Sequence, residues 1–263
     1  MTVGTDGQVA RKLYWTLDAT RPAQPLTEAE WLDATRKVLV RALDRHRLAA
    51  DVPVGVLLSG GLDSSLLVGL LADHVDDLLT FSIGFEGIEG LSVGAEKADE
   101  FEYSDLIAAQ FKTRHHKHLI PDSEVLARLP EAVAAMTEPM MSHDVIAFYL
   151  LSERVSKEVK VVLAGQGADE VFGGYFWYPR MAAEPSGSAL ERFRRHYFDR
   201  DHDEFLDMVM PAYHGPDYTA ETIAAHLAEP FADDFIDQVL RMDTTMLITD
   251  DPVKRVDNMT MAW

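Results

Sequence analysis

The residues best suited to chemistry in this chain form one heptad, Ser59-Gly60-Gly61-Leu62-Asp63-Ser64-Ser65, set between an apolar run over 52–58 and a helix-like run over 66–75. Two glycines at such a turn let the backbone approach a ligand with no Cβ in the way. The amides of the turn and of the following helix then face one point, which the helix dipole makes attractive to anions. Ser59, Ser64 and Ser65 add neutral hydrogen bonds, and Asp63 adds a carboxylate that could hold Mg²⁺ beside phosphates. No lysine lies in the loop, so it is not a Walker loop. It reads as a pyrophosphate cradle and points to an enzyme that cuts ATP between its α- and β-phosphates. The plain alternative is an ordinary glycine-rich turn, but seven residues in this order and context are much rarer than a glycine pair.

A cradle of this kind needs a second strand that brings another metal ligand to the same sheet edge. Residues 159–175 have the required pattern: a buried strand ends in Gly165-Gln166-Gly167, and Asp169 and Glu170 follow at once. Asp169 with Asp63 would give a two-carboxylate seat for Mg²⁺ on the departing pyrophosphate. Taken alone, the segment would also suit a structural turn with a capping Asp.

The elements that must position these turns are legible from periodicity. Thr27 and Glu30 make a capping box, and Trp31, Val38, Leu39 and Leu43 space out one helical face. Strand-like runs recur at 52–58, 78–85, 115–120 and 159–164, separated by helical runs near 63–75, 99–112, 122–137 and 143–157. That alternation, with nearly continuous apolar strands, predicts an α/β fold: a parallel sheet covered by helices on both faces. Residues 86–99 lack a period and read as a mobile loop. Residues 1–26 read as a linker or the remnant of one. The domain proper is expected over 27–263, with the α/β core at about 50–180 and an all-helical part at about 187–263.

The 263 residues suffice for a substantial core, and 47% hydrophobic with 26% charged residues is an ordinary globular composition. The net charge of −20 repels nucleic-acid phosphates, so no nucleic-acid partner is expected. No apolar run has membrane-spanning length and the start lacks a signal pattern, so the expectation is a soluble, cytoplasmic protein without a membrane partner. Cysteine is absent, which excludes disulfides, Cys-ligated zinc and a thiolate nucleophile within this chain.

Three motifs then match a family. S-G-G-L-D-S-S at 59–65, S-I-G-F at 82–85 and G-Q-G-A-D-E-V-F-G-G-Y at 165–175 resemble the synthetase domain of the asparagine synthetase family, a PP-loop ATP pyrophosphatase of the adenine nucleotide α-hydrolase-like fold. D-E-F-E-Y at 99–103, E-P-M-M-S-H-D at 138–144 and the ending D-P-V-K-R-V-D-N-M-T-M-A-W look most like the branch that amidates N-acetylglutaminylglutamine. The resemblance implies that a substrate carboxylate attacks the α-phosphate of ATP, giving an acyl-adenylate and Mg-pyrophosphate, and that ammonia then displaces AMP. It implies that Ser59, Gly60, Gly61, Asp63, Ser64 and Ser65 hold pyrophosphate, that Leu57, Ile83, Ala164 and Gly165 line the adenosine pocket, and that Asp63 and Asp169 ligate Mg²⁺. Asp63, Gln166, Asp169 and Glu170 become the candidate catalytic residues, with ATP and Mg²⁺ as cofactors.

The match also departs from the family. Gln166 stands where asparagine synthetases usually carry Glu, which keeps size and hydrogen bonding but loses charge and any general-base role. The arginine often found just before the Ser142-His143-Asp144 helix is missing. Both changes fall where the acid substrate should bind, so a neutral or peptide-like acid is expected rather than free aspartate. The family's cysteine-led glutaminase domain is not in this sequence, so ammonia is expected from a glutaminase domain or another source outside the chain, and the chain reads as a fragment of weak or absent activity. A homodimer is one possible assembly. Among weaker signals, His115, His116 and His118 are expected as sheet-edge polar residues rather than metal ligands. His143-Asp144 fits either an acid–base pair or a cap, Phe176, Trp177 and Tyr178 suit a core, and Lys254-Arg255 suits a solvated basic pair. The rival readings are a glutamine-hydrolysing asparagine synthase acting on aspartate, another PP-loop ATP pyrophosphatase, and a nucleotide-binding remnant without chemistry.

Overall fold

The computed structural model describes residues 1–86, 101–140, 142 and 144–263. The expected mobile loop (all but residue 86), the start of the 99–103 motif and His143 therefore lie outside the described residues. In chain order the elements are β1 (Thr2–Val3), β2 (Val9–Ala10), α1 (Glu28–Ala49), β3 (Val54–Leu57), α2 (Leu62–Ala72), β4 (Leu79–Phe85), α3 (Phe101–Phe111), β5 (Arg114–Ile120), α4 (Asp122–Ala135), α5 (Asp144–Val155), β6 (Val161–Leu163) and α6 (Ala168–Phe172). Helices continue with α7 (Trp177–Ala183), α8 (Ala189–Tyr197), α9 (His202–Met208), α10 (Tyr218–Leu227), α11 (Phe235–Met242), α12 (Ile248–Asp250) and α13 (Pro252–Thr260).

Contacts divide the chain into two units, Leu26–Asp169 with Leu247–Trp263, and Met1–Pro25 with Glu170–Met246. The first is the α/β unit. Its four strands lie in the order β5-β4-β3-β6, every neighbouring pair parallel. Successive residues of β3 point to opposite faces. Val56 and Leu58 enter a cluster with Val68, Leu71, Ala108 and Leu43 of α2, α3 and α1, whereas Leu57 joins Phe81, Leu151 and Val155 on the α5 side. Such two-sided burial explains why β3 reads as a continuous apolar run rather than an alternating one. The expected capping box at the start of α1 is present, Thr27 and Glu30 each bonding the other's backbone amide. The proposed apolar face of α1 is only partly covered, since Leu43 is buried while Trp31 and Val38 are exposed.

The second unit is helical. Tyr178, Met181, Phe193, Ile223, Leu227, Phe235, Val239 and Met242 make its core. The leader, expected as a linker, belongs here: β1 and β2 pair antiparallel, Ala19 bridges Ala232, and the Arg21 guanidinium pairs with Asp234 and with Asp237 at 2.8 Å. The final helix α13, which the sequence reading grouped with the helical part, packs instead on α5 in the α/β unit.

A π-helical turn, Asp243–Leu247, follows α11 and starts on a carboxyl that is 1% exposed. Tyr178 Oη donates to Asp243 Oδ2 at 2.7 Å. Burial, reinforced by the nearby Glu170, outweighs that bond and pushes the Asp243 carboxyl up to about 7. An unfolded Asp ionises near 4, so folding favours the protonated acid, and stability is lost as pH rises from about 4 through about 7, by roughly 3–4 kcal/mol. Thermal melts across this range should show wild type weakening and Asp243→Asn nearly level, with the variant the more stable above pH 7; parallel slopes would contradict this assignment.

Candidate active site

The first turn is built where β3 gives way to α2. Gly60 has φ +92°, and a Cβ there would lie 2.5 Å from Tyr103 Cβ and 2.6 Å from Ser104 N. Only glycine fits against the start of α3 in that conformation. Ser59 Oγ accepts the Gly61 amide at 3.2 Å and lies 3.1 Å from Ser64 Oγ, which bonds back to the Gly61 carbonyl at 3.2 Å. Two of the three hydroxyls expected to meet a ligand thus also shape the turn. The third, Ser65 Oγ, is buried and has no partner. Gly61 caps α2 without a side-chain bond, and the start of a helix is a favourable place for an anion.

The second turn leaves β6, the parallel neighbour of β3, and so emerges at the same edge of the sheet. A Cβ on Gly165 would sit 3.0 Å from both Asp63 Cβ and Ser64 N. Glycine at 165 is therefore the contact through which the two turns touch. Gly167 takes φ +92° with Ile248 and Val253 nearby. Gln166 is exposed, and Asp169 is partly buried in α6. Leu57, Ile83 and Ala164 come from β3, from β4 and from just past β6, three adjacent strands at this same edge. Glu170 departs from the group: it is 1% exposed, its Oε1 accepts from Tyr175 Oη at 2.7 Å within the helical unit, and its Oε2 is buried without a partner.

Sequence reasoning missed Arg255. Expected in a solvated pair, it is only 12% exposed on α13 and donates to Ser142 Oγ and to Asp144 Oδ2 at 3.1 Å, with Asp251 at 3.5 Å from Nε. Lys254 is likewise covered and pairs with Glu138. Because α5 runs back along the sheet before β6, its first turn lies at the carboxyl edge, and Arg255 supplies a cation there. The spacing of Arg255 and Asp251, four apart on one helix face, was the available signal. Asp144 takes an ion pair with Arg255 at the start of α5, and the expected pairing with His143 lies outside the described residues. Phe176 is exposed under Arg180, while Tyr178 is core. Among the described residues no group of three or more His, Cys, Asp or Glu could hold a metal, and His116 rests against the Phe81 ring. A cation at Asp63 and Asp169 would therefore take its remaining ligands from phosphate and water, the usual habit of Mg²⁺ with nucleotides. No helix among the described residues is long and apolar enough to cross a membrane.

This parallel sheet with a glycine cradle at its carboxyl edge is a PP-loop α/β fold, and the family model for asparagine synthase matches residues 34–263. The chain belongs to the asparagine synthase family. It is 36% identical over 170 residues to a Methanocaldococcus jannaschii protein provisionally named asparagine synthetase (glutamine-hydrolysing) 2, a match covering 64% of this chain and 31% of that protein. It is 32% identical over 177 residues to asparagine synthetase (glutamine-hydrolysing) 1 of Bacillus subtilis, covering 67% and 26%. The matches thus span about a third or less of the length of these relatives.

Gly165→Ala tests the contact between turns. The added methyl must displace Asp63 or Ser64, and overpacking of this kind costs about 1–3 kcal/mol. Mg-ATP affinity should fall at least tenfold while the circular dichroism spectrum stays native; an unchanged affinity would show that the two turns need not touch.

Proposed function

We propose that this chain is the ATP-pyrophosphatase part of an amide-forming ligase. The observation that carries the reading is the meeting of two glycine turns on adjacent parallel strands, with Asp63 at the junction. In this reading, amides 60–65 and the Ser65 hydroxyl hold the β- and γ-phosphates, and Leu57, Ile83, Ala164 and Gly165 hold adenosine. Asp63 and Asp169 would hold Mg²⁺, which offsets charge on the departing pyrophosphate. A carboxylate oxygen of the substrate forms a bond to the α-phosphorus as the bond to the bridging β-oxygen breaks, leaving acyl-adenylate and pyrophosphate. Ammonia nitrogen then bonds to the acyl carbon, loses a proton, and AMP departs with the former carboxylate oxygen. Donors already in place where charge develops lower this barrier without reorganisation. Ammonia is supplied by glutamine hydrolysis elsewhere, as the relatives' names indicate for those proteins.

The acid substrate is best read as peptide-like, N-acetylglutaminylglutamine or a similar molecule. Gln166 is neutral, and the cation near the acid end, Arg255, is already matched by Asp144 and Asp251. A second carboxylate, as in aspartate, would have to displace one of these partners. A nucleotide-binding remnant without chemistry is the second reading, favoured by Gln166, whose amide cannot act as a general base.

Exchange of labelled pyrophosphate into ATP separates them. Exchange should require a peptide-like acid, be at least tenfold slower with aspartate, and drop by about 100-fold or more in Asp63→Asn. Faster exchange with aspartate would reverse the substrate assignment, and tight ATP binding with no exchange under any acid would leave only the remnant.

A further inference from the structure

A series of hydrogen bonds not used above crosses the sheet to the root of the phosphate loop. The β3–β4 ladder ends at Leu57 opposite Phe81, with the Leu58 amide on the Phe81 carbonyl at 2.8 Å. Beyond that point the Leu58 carbonyl accepts from the Ser82 hydroxyl. Ser82 is buried, and its oxygen lies 3.3 Å from His115 Nε2. His115 Nδ1 is 2.9 Å from Thr80 Oγ1, which is 2.8 Å from Thr113 Oγ1. Leu58 directly precedes Ser59, the first residue of the cradle.

The proton positions follow from counting donors. Ser82 spends its single proton on Leu58, so its oxygen must accept, and the donor within reach is His115 Nε2–H. A neutral imidazole then offers Nδ1 as an acceptor, Thr80 donates to it, and Thr113 donates to Thr80. All bonds run in one sense, ending on the loop's root. The surroundings favour the neutral ring: burial, the largest influence, holds His115 below the usual histidine range, Lys117 and His116 act in the same direction, and Asp105 of α3, 4.0 Å away, and the Thr80 backbone oppose them.

We propose that Ser82 and His115, the latter as its Nε2–H tautomer, are positioning residues that fix the Leu58 carbonyl and thereby the phosphate loop for ATP. The inference rests on the nucleotide-site reading given above. Neither residue touches the nucleotide in that reading; each acts through Leu58. Removing the Ser82 hydroxyl leaves a buried carbonyl unpaired, a loss the loop can relieve only by shifting. Protonation of His115 would turn Nδ1 into a donor facing Thr80 Oγ1 and reverse the series, so ATP affinity should fall in acid as this ring titrates.

Two measurements decide it. Long-range ¹H–¹⁵N histidine spectra near neutral pH, with His115→Gln supplying the assignment, should show His115 as the Nε2–H tautomer; an Nδ1–H or protonated ring would overturn the proposal. Calorimetric titration with Mg-ATP should find Ser82→Ala roughly tenfold weaker than wild type and Ser82→Thr close to it, because threonine restores the hydroxyl. Equal affinity in the alanine variant would also overturn it. A wild-type protein that does not bind ATP would refute the nucleotide-site reading itself, while the tautomer spectrum would still decide the direction of the hydrogen bonds onto Leu58.

Discussion

The site depends on one close approach, that of the Gly165 backbone to Asp63 and Ser64. It is available because β3 and β6 are parallel neighbours, so the turns that follow them leave the sheet side by side. A side chain at 165 would hold the turns apart. The helices on both faces fix the strands, the strands fix the spacing of the turns, and the turns present amides to one point. Gly60 plays the corresponding part on the other flank, where α3 closes on the loop with no room for a Cβ.

Electrostatics sharpen this dependence. A protein of net charge −20 repels a nucleotide at long range, so affinity must come from short-range donors. Backbone amides at a helix start and an unpartnered hydroxyl at Ser65 are such donors, and a divalent cation on Asp63 and Asp169 would reconcile two carboxylates with a polyphosphate. Arg255, by contrast, is matched by acids in its own neighbourhood, which bears on the choice of acid substrate more than on the nucleotide.

Much of this was legible in the sequence because short-range signals and tertiary structure agree here. The strands β3 to β6 match the strand-like runs to within one or two residues, and the Thr27–Glu30 capping box marks the start of α1. The two glycine turns could be placed at one edge because parallel strands require it. What escaped detection depended on distant partners. Nothing local marks the leader as part of the helical unit, since its anchors are Asp234 and Asp237. Glu170 follows Asp169 in the motif, yet one step along a helix turns it toward Tyr175. For Arg255 the local spacing to Asp251 hinted at a partner, but its burial depends on Ser142 and Asp144, more than a hundred residues away. The Ser82–His115 series likewise joins residues with no shared sequence pattern.

The central claim is that both turns grasp one Mg-ATP. Backbone amide spectra recorded during a Mg-ATP titration test it most directly. The account requires amides of 60–65 and of 165–169 to shift together along a single binding curve. If only one group responds, or the two follow curves with different affinities, the shared site is refuted.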